Sequence, residues 1–119
     1  METEEKDKTT VPKSDRVLRH VVLFKFAAHA GPAELSEIGR ALSALRGKIP
    51  EILDLEWGTD VSIEGKSQGF THCLLVTFAG EAQRAVYLPH PEHKKFGQKI
   101  REEGLLEDVI VFDYWTPVC

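Results

Sequence analysis

The segment from Tyr87 to His93 concentrates side chains that could perform acid–base chemistry. Between its ends it holds Pro89, His90 and Pro91. Pro91 suits the first position of a helix, where its missing N–H costs nothing. His93 would then lie in the first helical turn, where the helix dipole favours a neutral imidazole able to accept a proton. One bend in the chain would turn the Tyr87 hydroxyl toward the cavity that the His93 ring faces. The alternative is a kinked connector whose polar groups only cap helix ends.

Two further histidines lie on predicted strands. His20 belongs to a strand over residues 17–26, and His72 to a strand over residues 70–78. In both strands the period-two alternation puts the histidine on a largely apolar face. If the strands are neighbours, both histidines converge with the Tyr/His pair of the helical segment in one apolar cavity, the usual form of a small-molecule site. The alternative is that each is a hydrogen-bonded core residue.

A metal site is not expected. His90 and His93 have helical i, i+3 spacing, but no carboxylate or cysteine pattern completes a zinc or iron site. Pro91 also places His90 outside the helix, which separates the two rings. The sequence contains no nucleophile elbow, P-loop or dinucleotide fingerprint, so it does not favour a serine hydrolase, a kinase or a nicotinamide-dependent enzyme.

The overall composition narrows the class of partners. The chain has 119 residues, a net charge of −4 and a pI near 5.7, which argues against nucleic acid or an anionic membrane. No apolar run approaches the roughly 20 residues of a membrane span. The first residues are charged, unlike a secretory signal. Cys73 and Cys119 are expected to be free thiols in a reducing compartment. We therefore expect a cytoplasmic protein.

Hydrophobic patterning predicts one α+β domain. Residues 1–16 are charged and poor in large apolar groups, which predicts a disordered tail, and a domain over residues 17–119 follows. Gly31-Pro32 opens the first helix and Gly47 is its expected end. The predicted strands cover residues 17–26, 53–58, 70–78 and 106–115, and the later helical segments cover residues 80–86 and 91–101.

This order of elements leaves one face of the sheet without cover. It matches the ferredoxin-like β-α-β-β-α-β plan, in which helices cover a single face of a four-stranded antiparallel sheet. Three of the predicted strands are nevertheless apolar on both faces. A second copy packed sheet against sheet would cover the open face. The prediction is a homodimer that forms a dimeric α/β barrel.

Five sequence blocks together resemble the stress-responsive dimeric α/β-barrel proteins. They cover residues 20–26, 56–58, 69–72, 87–93 and 112–114. The likeness extends from about Arg19 to Pro117. The resemblance implies the same ferredoxin-like dimer. Most members of that family are small, stable proteins linked to stress responses and have no assigned reaction.

A plant branch of this family closes a linear polyketide thioester by intramolecular aldol condensation, without metal or organic cofactor. The resemblance implies that His93 takes the acidic proton between two carbonyls. It also implies that Tyr87 donates a hydrogen bond to the enolate or thioester oxygen. The substrate-binding residues expected by this likeness and by the strand and helix patterns are His20, His72, Val22, Phe24, Leu74, Ile38 and Leu42.

Other functions stay open at this point. A similar Tyr/His stretch is widespread among family members without known activity, so the chain could be a non-catalytic stress-responsive dimer. Such a dimer would be structural or would bind small apolar ligands. Heme or oxygen chemistry, as in other dimeric ferredoxin-like barrels, is weaker because no residue set for axial ligation stands out. For an enzyme, the expected substrate is a polyketide or phenolic small molecule.

Overall fold

The computed structural model describes residues 15–118, in which four strands form one sheet and three helices accompany it. The tail predicted over residues 1–16 lies outside the described residues except at its end, where Arg16 already begins the first strand. Cys119 also lies outside them. In chain order the elements are β1 (Arg16–Phe26), α1 (Pro32–Lys48), β2 (Asp54–Thr59), β3 (His72–Phe78), α2 (Glu81–Tyr87), α3 (Pro91–Glu102) and β4 (Leu106–Pro117).

The sheet has the strand order β2-β3-β1-β4, with β1 antiparallel to both of its neighbours. The register places His20 of β1 between Val76 of β3 and Asp113 of β4. This topology confirms the predicted ferredoxin-like fold. The helical segment before β4 is divided into α2 and α3, as the prolines around His90 predict.

The two faces of β1 differ in the way the alternation predicts. His20, Val22 and Phe24 are buried, whereas Val21 and Leu23 on the other face are half-buried. The buried face belongs to the hydrophobic core between sheet and helices. That core also contains Ile38, Leu42, Leu45 and Ile49 from the first helical segment, Leu74, Val76 and Phe78 from β3, and Tyr87, Ile100 and Leu105.

The first helix is longer than the sequence predicts. It starts at Pro32, and the Glu34 carboxylate accepts a hydrogen bond of 3.0 Å from the Gly31 N–H. The expected end at Gly47 is wrong, because the helix continues to Lys48 and the Ile49 N–H still bonds the Leu45 carbonyl. Ile49 is fully buried, and its burial keeps the last turn against the core.

The open face of the sheet is apolar at β4. The pairing register puts Ile110, Phe112 and Tyr114 beside Leu23, Val21 and Arg19 on this face. Their side chains are exposed to 44%, 62% and 40%. Most single apolar residues at a surface need no explanation, but three together on one strand face form a patch that a partner could cover.

No helix among residues 15–118 is long and apolar enough to cross a membrane.

Gly39 marks close packing between α1 and β2. A Cβ built at this position would lie 2.7 Å from the Trp57 Nε1 atom and 3.0 Å from Cδ1. The Trp57 ring cannot easily move away, because it stacks on His72 and packs edge-on against Phe24. Glycine is therefore required here by the approach of the indole, not by backbone conformation.

Alanine substitutions in α1 should have opposite effects at two glycines. Gly39→Ala should lower the free energy of unfolding by about 1–3 kcal/mol through overpacking against Trp57. Gly47→Ala is the matched control, since apart from its chain neighbours and the backbone of its own helix no atom of the described residues lies within 4 Å of its Cβ position. It should raise stability by about 1 kcal/mol through helix propensity. Urea unfolding measures both, and stabilisation by both variants would contradict the packing argument.

Candidate active site

The connection between α2 and α3 brings a tyrosine and a histidine together. Tyr87 is the last residue of α2, and the His90 ring caps α3 by accepting the Glu92 N–H at 3.1 Å. Pro91 is the first residue of α3, as predicted, and His90 lies outside the helix. The turn between the helices places the Tyr87 and His93 ring centroids 4.4 Å apart.

The His93 ring is held in one tautomer. Its Nδ1 lies 2.8 Å from the Leu88 carbonyl oxygen, which can only accept, so Nδ1 carries the hydrogen. In the neutral ring Nε2 is then the proton acceptor. Burial lowers the pKa of His93, the Leu88 hydrogen bond opposes this, and the nearby His20 and His90 add to the lowering. The predicted direction is correct, but burial is its main cause.

Tyr87 contributes a buried hydroxyl without a partner. Its side chain is fully buried, and within the described part of the chain no group hydrogen-bonds its Oη. The ring is surrounded by aromatic neighbours, with the Phe78 centroid at 5.1 Å and the His20 centroid at 5.8 Å. Burial raises the pKa of Tyr87, so the phenol stays protonated near neutral pH. It is arranged as a hydrogen-bond donor that lacks its acceptor.

His20 is oriented by Asp113, which also pairs with Arg84, and the sequence analysis did not identify this chain of contacts. Its Nδ1 lies 2.8 Å from the Asp113 Oδ1 atom, and the Arg84 Nη1 atom lies 2.8 Å from Asp113 Oδ2. Because the carboxylate accepts, His20 donates from Nδ1. Since His20 is only 5% exposed, the Asp113 carboxylate satisfies a polar group that would otherwise be costly to bury.

These groups line a cavity of about 530 Å³ between the sheet, α1, α2 and α3. Among the predicted site residues, seven border it: His20, Val22, Phe24, Leu42, Leu74, Tyr87 and His93. The other lining residues are Arg84, Leu88, Phe96, Gly97, Ile100, Arg101, Leu106, Val109, Val111 and Asp113. The cavity therefore has apolar walls with a few polar groups at defined places, as small-molecule sites do.

Two predicted binding residues lie elsewhere. His72 is opposite Phe24 in the sheet, whereas His20 is opposite Val76, which is four residues or roughly 13 Å further along β3. His72 stacks on Trp57 at 5.2 Å, and burial lowers its pKa. It borders a separate cavity of about 390 Å³ near the loop between β2 and β3. Ile38 is a core residue that is only 2% exposed and does not border the larger cavity.

Within residues 15–118 no group of three or more His, Cys, Asp or Glu side chains is arranged to hold a metal ion. Cys73 is a half-buried free thiol, and burial raises its pKa, which favours the unreactive protonated form.

Asp113 could have been recognised from the sequence with one further step. It is the one acidic residue in the stretch from Val109 to Trp115, which is otherwise apolar or aromatic, and a lone carboxylate there needs a partner. Identifying His20 as that partner required the β1–β4 register, which local patterning does not give. The helix face of Phe96, Gly97, Ile100 and Arg101 follows from counting three and four residues onward from His93.

NMR titration tests the state of His93. We expect an Nδ1-protonated neutral tautomer at pH 7 and a titration midpoint below that of His93 in the urea-unfolded protein. The unfolded chain then binds more protons between the two pKa values, so His93 contributes stability above its unfolded pKa that is lost as the pH falls. A midpoint at or above the unfolded value, or an Nε2-protonated neutral ring, would contradict the described geometry.

Two curated relatives cover most of the chain. Olivetolic acid cyclase of Cannabis sativa is 33% identical over 100 residues, which are 84% of this chain and 96% of the cyclase. The stress-response A/B barrel domain-containing protein HS1 of Arabidopsis thaliana is 34% identical over 97 residues, 82% of this chain and 87% of that protein. The two relatives thus match this chain at nearly equal identity.

Solved structures with the same fold agree with these likenesses. The crystal structure of the Arabidopsis thaliana protein At3g17210 matches with a TM-score of 0.76 and 33% identity, over 86% of this chain and 96% of that one. A dimeric ferredoxin-like protein of Bacteroides fragilis matches with a TM-score of 0.68 and 25% identity, over 82% and 94%. The sequence profile of the Stress responsive A/B Barrel Domain matches residues 18–116. The chain belongs to the stress-responsive A/B barrel domain family.

Proposed function

We propose that this protein is a cofactor-free cyclase that acts on a β-polyketo thioester by intramolecular aldol condensation. The observation that carries the proposal is the pair of Tyr87 and His93, whose rings lie 4.4 Å apart and border one apolar cavity, with a Tyr87 hydroxyl that has no partner among residues 15–118. A donor without an acceptor next to a neutral base fits a substrate that offers both a carbonyl oxygen and an acidic C–H. The similarity to olivetolic acid cyclase supports this reading.

The proposed reaction begins with proton transfer to the His93 Nε2 atom from a carbon between two carbonyls. Tyr87 donates a hydrogen bond to the enolate oxygen as negative charge develops there. The enolate carbon bonds to a distant carbonyl carbon of the same chain, and the resulting alkoxide takes the proton back from the imidazolium. This C–C bond closes the ring, and loss of the new hydroxyl with a neighbouring hydrogen, as water, introduces a double bond. A water molecule then attacks the thioester carbonyl, the C–S bond breaks, and the thiol and the carboxylic acid are released.

The electrostatics of the pocket support these roles. Burial lowers the pKa of His93 and raises that of Tyr87, so both groups are uncharged near pH 7 and have the protonation states that the reaction needs. His20 is proposed to orient the substrate with its Nε2 atom. The Asp113 Oδ1 atom accepts a hydrogen bond from His20 Nδ1 at an N···O distance of 2.8 Å, so Nε2 is the ring nitrogen left for the substrate.

The alternative function is a non-catalytic stress-responsive dimer whose pocket is structural or binds small apolar ligands. Its support is the equally strong similarity to protein HS1. Under this alternative the Tyr87 and His93 side chains serve packing and capping alone. The two functions predict different effects on turnover and stability when the Tyr87 hydroxyl is removed.

Removal of the Tyr87 hydroxyl should separate activity from stability. Tyr87→Phe keeps the ring and deletes a buried donor that has no partner among residues 15–118, so the free energy of unfolding should stay unchanged or rise by up to about 1 kcal/mol. Turnover of linear polyketide thioesters should fall on the order of 10²–10³-fold, the usual effect of losing one such donor. Product formation is measured by chromatography with mass detection, and stability by urea unfolding.

The test of His93 as the base uses the neighbouring His90 as its control. His93→Gln should lower turnover by about 10²–10⁴-fold. His90→Asn, which keeps an acceptor at the start of α3, should retain most of it. Turnover that survives both Tyr87→Phe and His93→Gln would refute the catalytic assignment. A loss of stability in Tyr87→Phe, with no reaction detected in any form, would favour the stress-related alternative.

The protein is also proposed to be a homodimer. The open sheet face presents Ile110, Phe112 and Tyr114 on β4 beside the half-buried Val21 and Leu23 of β1. An apolar patch of this kind is typical of the surfaces that a second copy covers. The dimeric state of the Bacteroides fragilis relative in fold supports the same arrangement.

A charge on the open face should dissociate the dimer. Phe112→Asp places a carboxylate at the most exposed side chain of this patch, which a sheet-to-sheet interface could bury only at high cost. Light scattering after size exclusion should give a dimer mass for the parent protein and a monomer mass for the variant. Val86→Asp on α2, 43% exposed on the helical side, is the control and should remain dimeric. A monomeric parent protein, or a dimeric Phe112→Asp variant, would contradict the proposal.

A further inference from the structure

We propose that the pocket binds its ligand by two ends, with an anionic group, carboxylate or phosphate, held by Arg101 at the mouth. The proposal deepens the proposed function, on which it rests for the statement that the reacting carbons lie at the opposite end, beside Tyr87 and His93. Both ends belong to the same lining: Arg101, Tyr87 and His93 all border the cavity.

Helix α3 forms one wall that connects the two ends. The residues that border the cavity from this helix follow each other at intervals of three and four positions: His93, Phe96, Gly97, Ile100 and Arg101. Arg101 lies eight residues after His93, which corresponds to about 12 Å along the helix axis. Phe96 and Ile100 between them are apolar. The wall therefore runs from a base, across apolar side chains, to a cation.

The charge of Arg101 is not neutralised by its sequence neighbours. The Glu102 carboxylate accepts a hydrogen bond from Gln98 at 2.9 Å, and Glu103 pairs with Lys99 at 3.4 Å. No carboxylate of residues 15–118 lies within ion-pair distance of Arg101. The Arg101 guanidinium is exposed, borders the cavity and has no carboxylate partner among residues 15–118, so it is available to an anionic ligand.

The second arginine of the pocket has a different role. Arg84 is matched by Asp113 at 2.8 Å, so these two lining residues cancel each other in charge. Arg101 then leaves the lining with one net positive charge when the histidines are neutral, although the chain as a whole carries −4. A positive pocket in an acidic protein favours an anion there over a neutral group.

Gly97 leaves room for the Arg101 guanidinium to lie against the α3 wall of the cavity. A Cβ at this position would lie 3.2 Å from the Arg101 Nη1 atom, closer than side chains usually pack. With glycine, the arginine side chain lies back over α3 beside the cavity. The planar guanidinium fork can then meet two oxygens of a carboxylate or phosphate at once, which an ammonium group does less well.

The ligand class that follows is an amphipathic anion. It would place a β-carbonyl segment beside Tyr87 and His93, an apolar chain along Phe96 and Ile100, and an anionic group at Arg101. The anion could be a carboxylate at the far end of the substrate or a phosphate on the carrier of its thioester. Both sources offer the same chemistry to the guanidinium.

Binding of simple probes tests this without any turnover. Decanoate, decyl phosphate and decanol share one chain and differ in the head group, and calorimetric titration into the full-length protein measures their affinities. We expect both anions to bind more tightly than decanol. Arg101→Gln should weaken the anions on the order of tenfold, the usual worth of one charge-assisted hydrogen bond, and leave decanol unchanged. Arg101→Lys should recover part of the loss.

Lys99→Gln is the matched control, because it removes one positive charge from the same last turn of α3 at a residue that does not border the cavity. It should leave all three affinities within twofold. Equal loss in Arg101→Gln and Lys99→Gln, equal loss for anions and alcohol, or tighter binding of decanol by the parent protein would overturn the proposal. The tighter of the two anions identifies the carboxylate or the phosphate source. Because no reaction is needed, failure of the catalytic proposal would appear separately, in the Tyr87 and His93 variants.

Discussion

The antiparallel pairing of β1 with both β3 and β4 is the constraint on which the rest of the structure depends. Its register sets His20 against Asp113 and leaves Val21 and Leu23 on the opposite face. Because side chains alternate along a strand, the same pairing creates the pocket wall on one face and an apolar surface on the other. Catalytic and assembly properties are thus proposed to arise from two sides of a single strand.

Burial controls the chemistry of the pocket more than any pair of opposite charges does. It lowers the pKa of His93 and raises that of Tyr87, so the apolar walls keep both groups neutral. Among the charged residues that border the pocket, Asp113 neutralises Arg84, and Arg101 meets no carboxylate of residues 15–118. In the proposed function, neutral Tyr87 and His93 together with an exposed Arg101 suit a substrate whose ionised part stays near solvent.

Local sequence signals predicted the elements that local interactions determine. Pro91 marked the start of α3, and the alternation of β1 identified which of its residues are buried. The prediction that α1 ends at Gly47 was wrong, because the burial of Ile49 outweighs the weak stop signal of a glycine and extends the helix. The sequence predicted the strand of His72 and the face of the sheet on which it lies. It could not predict the distance between His72 and His20 along the sheet, because that distance depends on the register between β1 and β3. The Arg84–Asp113–His20 chain was missed for the same reason.

In the proposed reaction, His93 removes a proton from a carbon between two carbonyls. Deuterium exchange at the acidic C–H of a β-keto thioester too short to cyclise tests it directly, because the exchange requires proton removal and no further step. NMR should show exchange faster than in buffer, with a rate that rises with pH as His93 becomes neutral, and that falls to the buffer rate in His93→Gln. Exchange at the buffer rate with the parent protein, or undiminished exchange in the variant, would contradict the account.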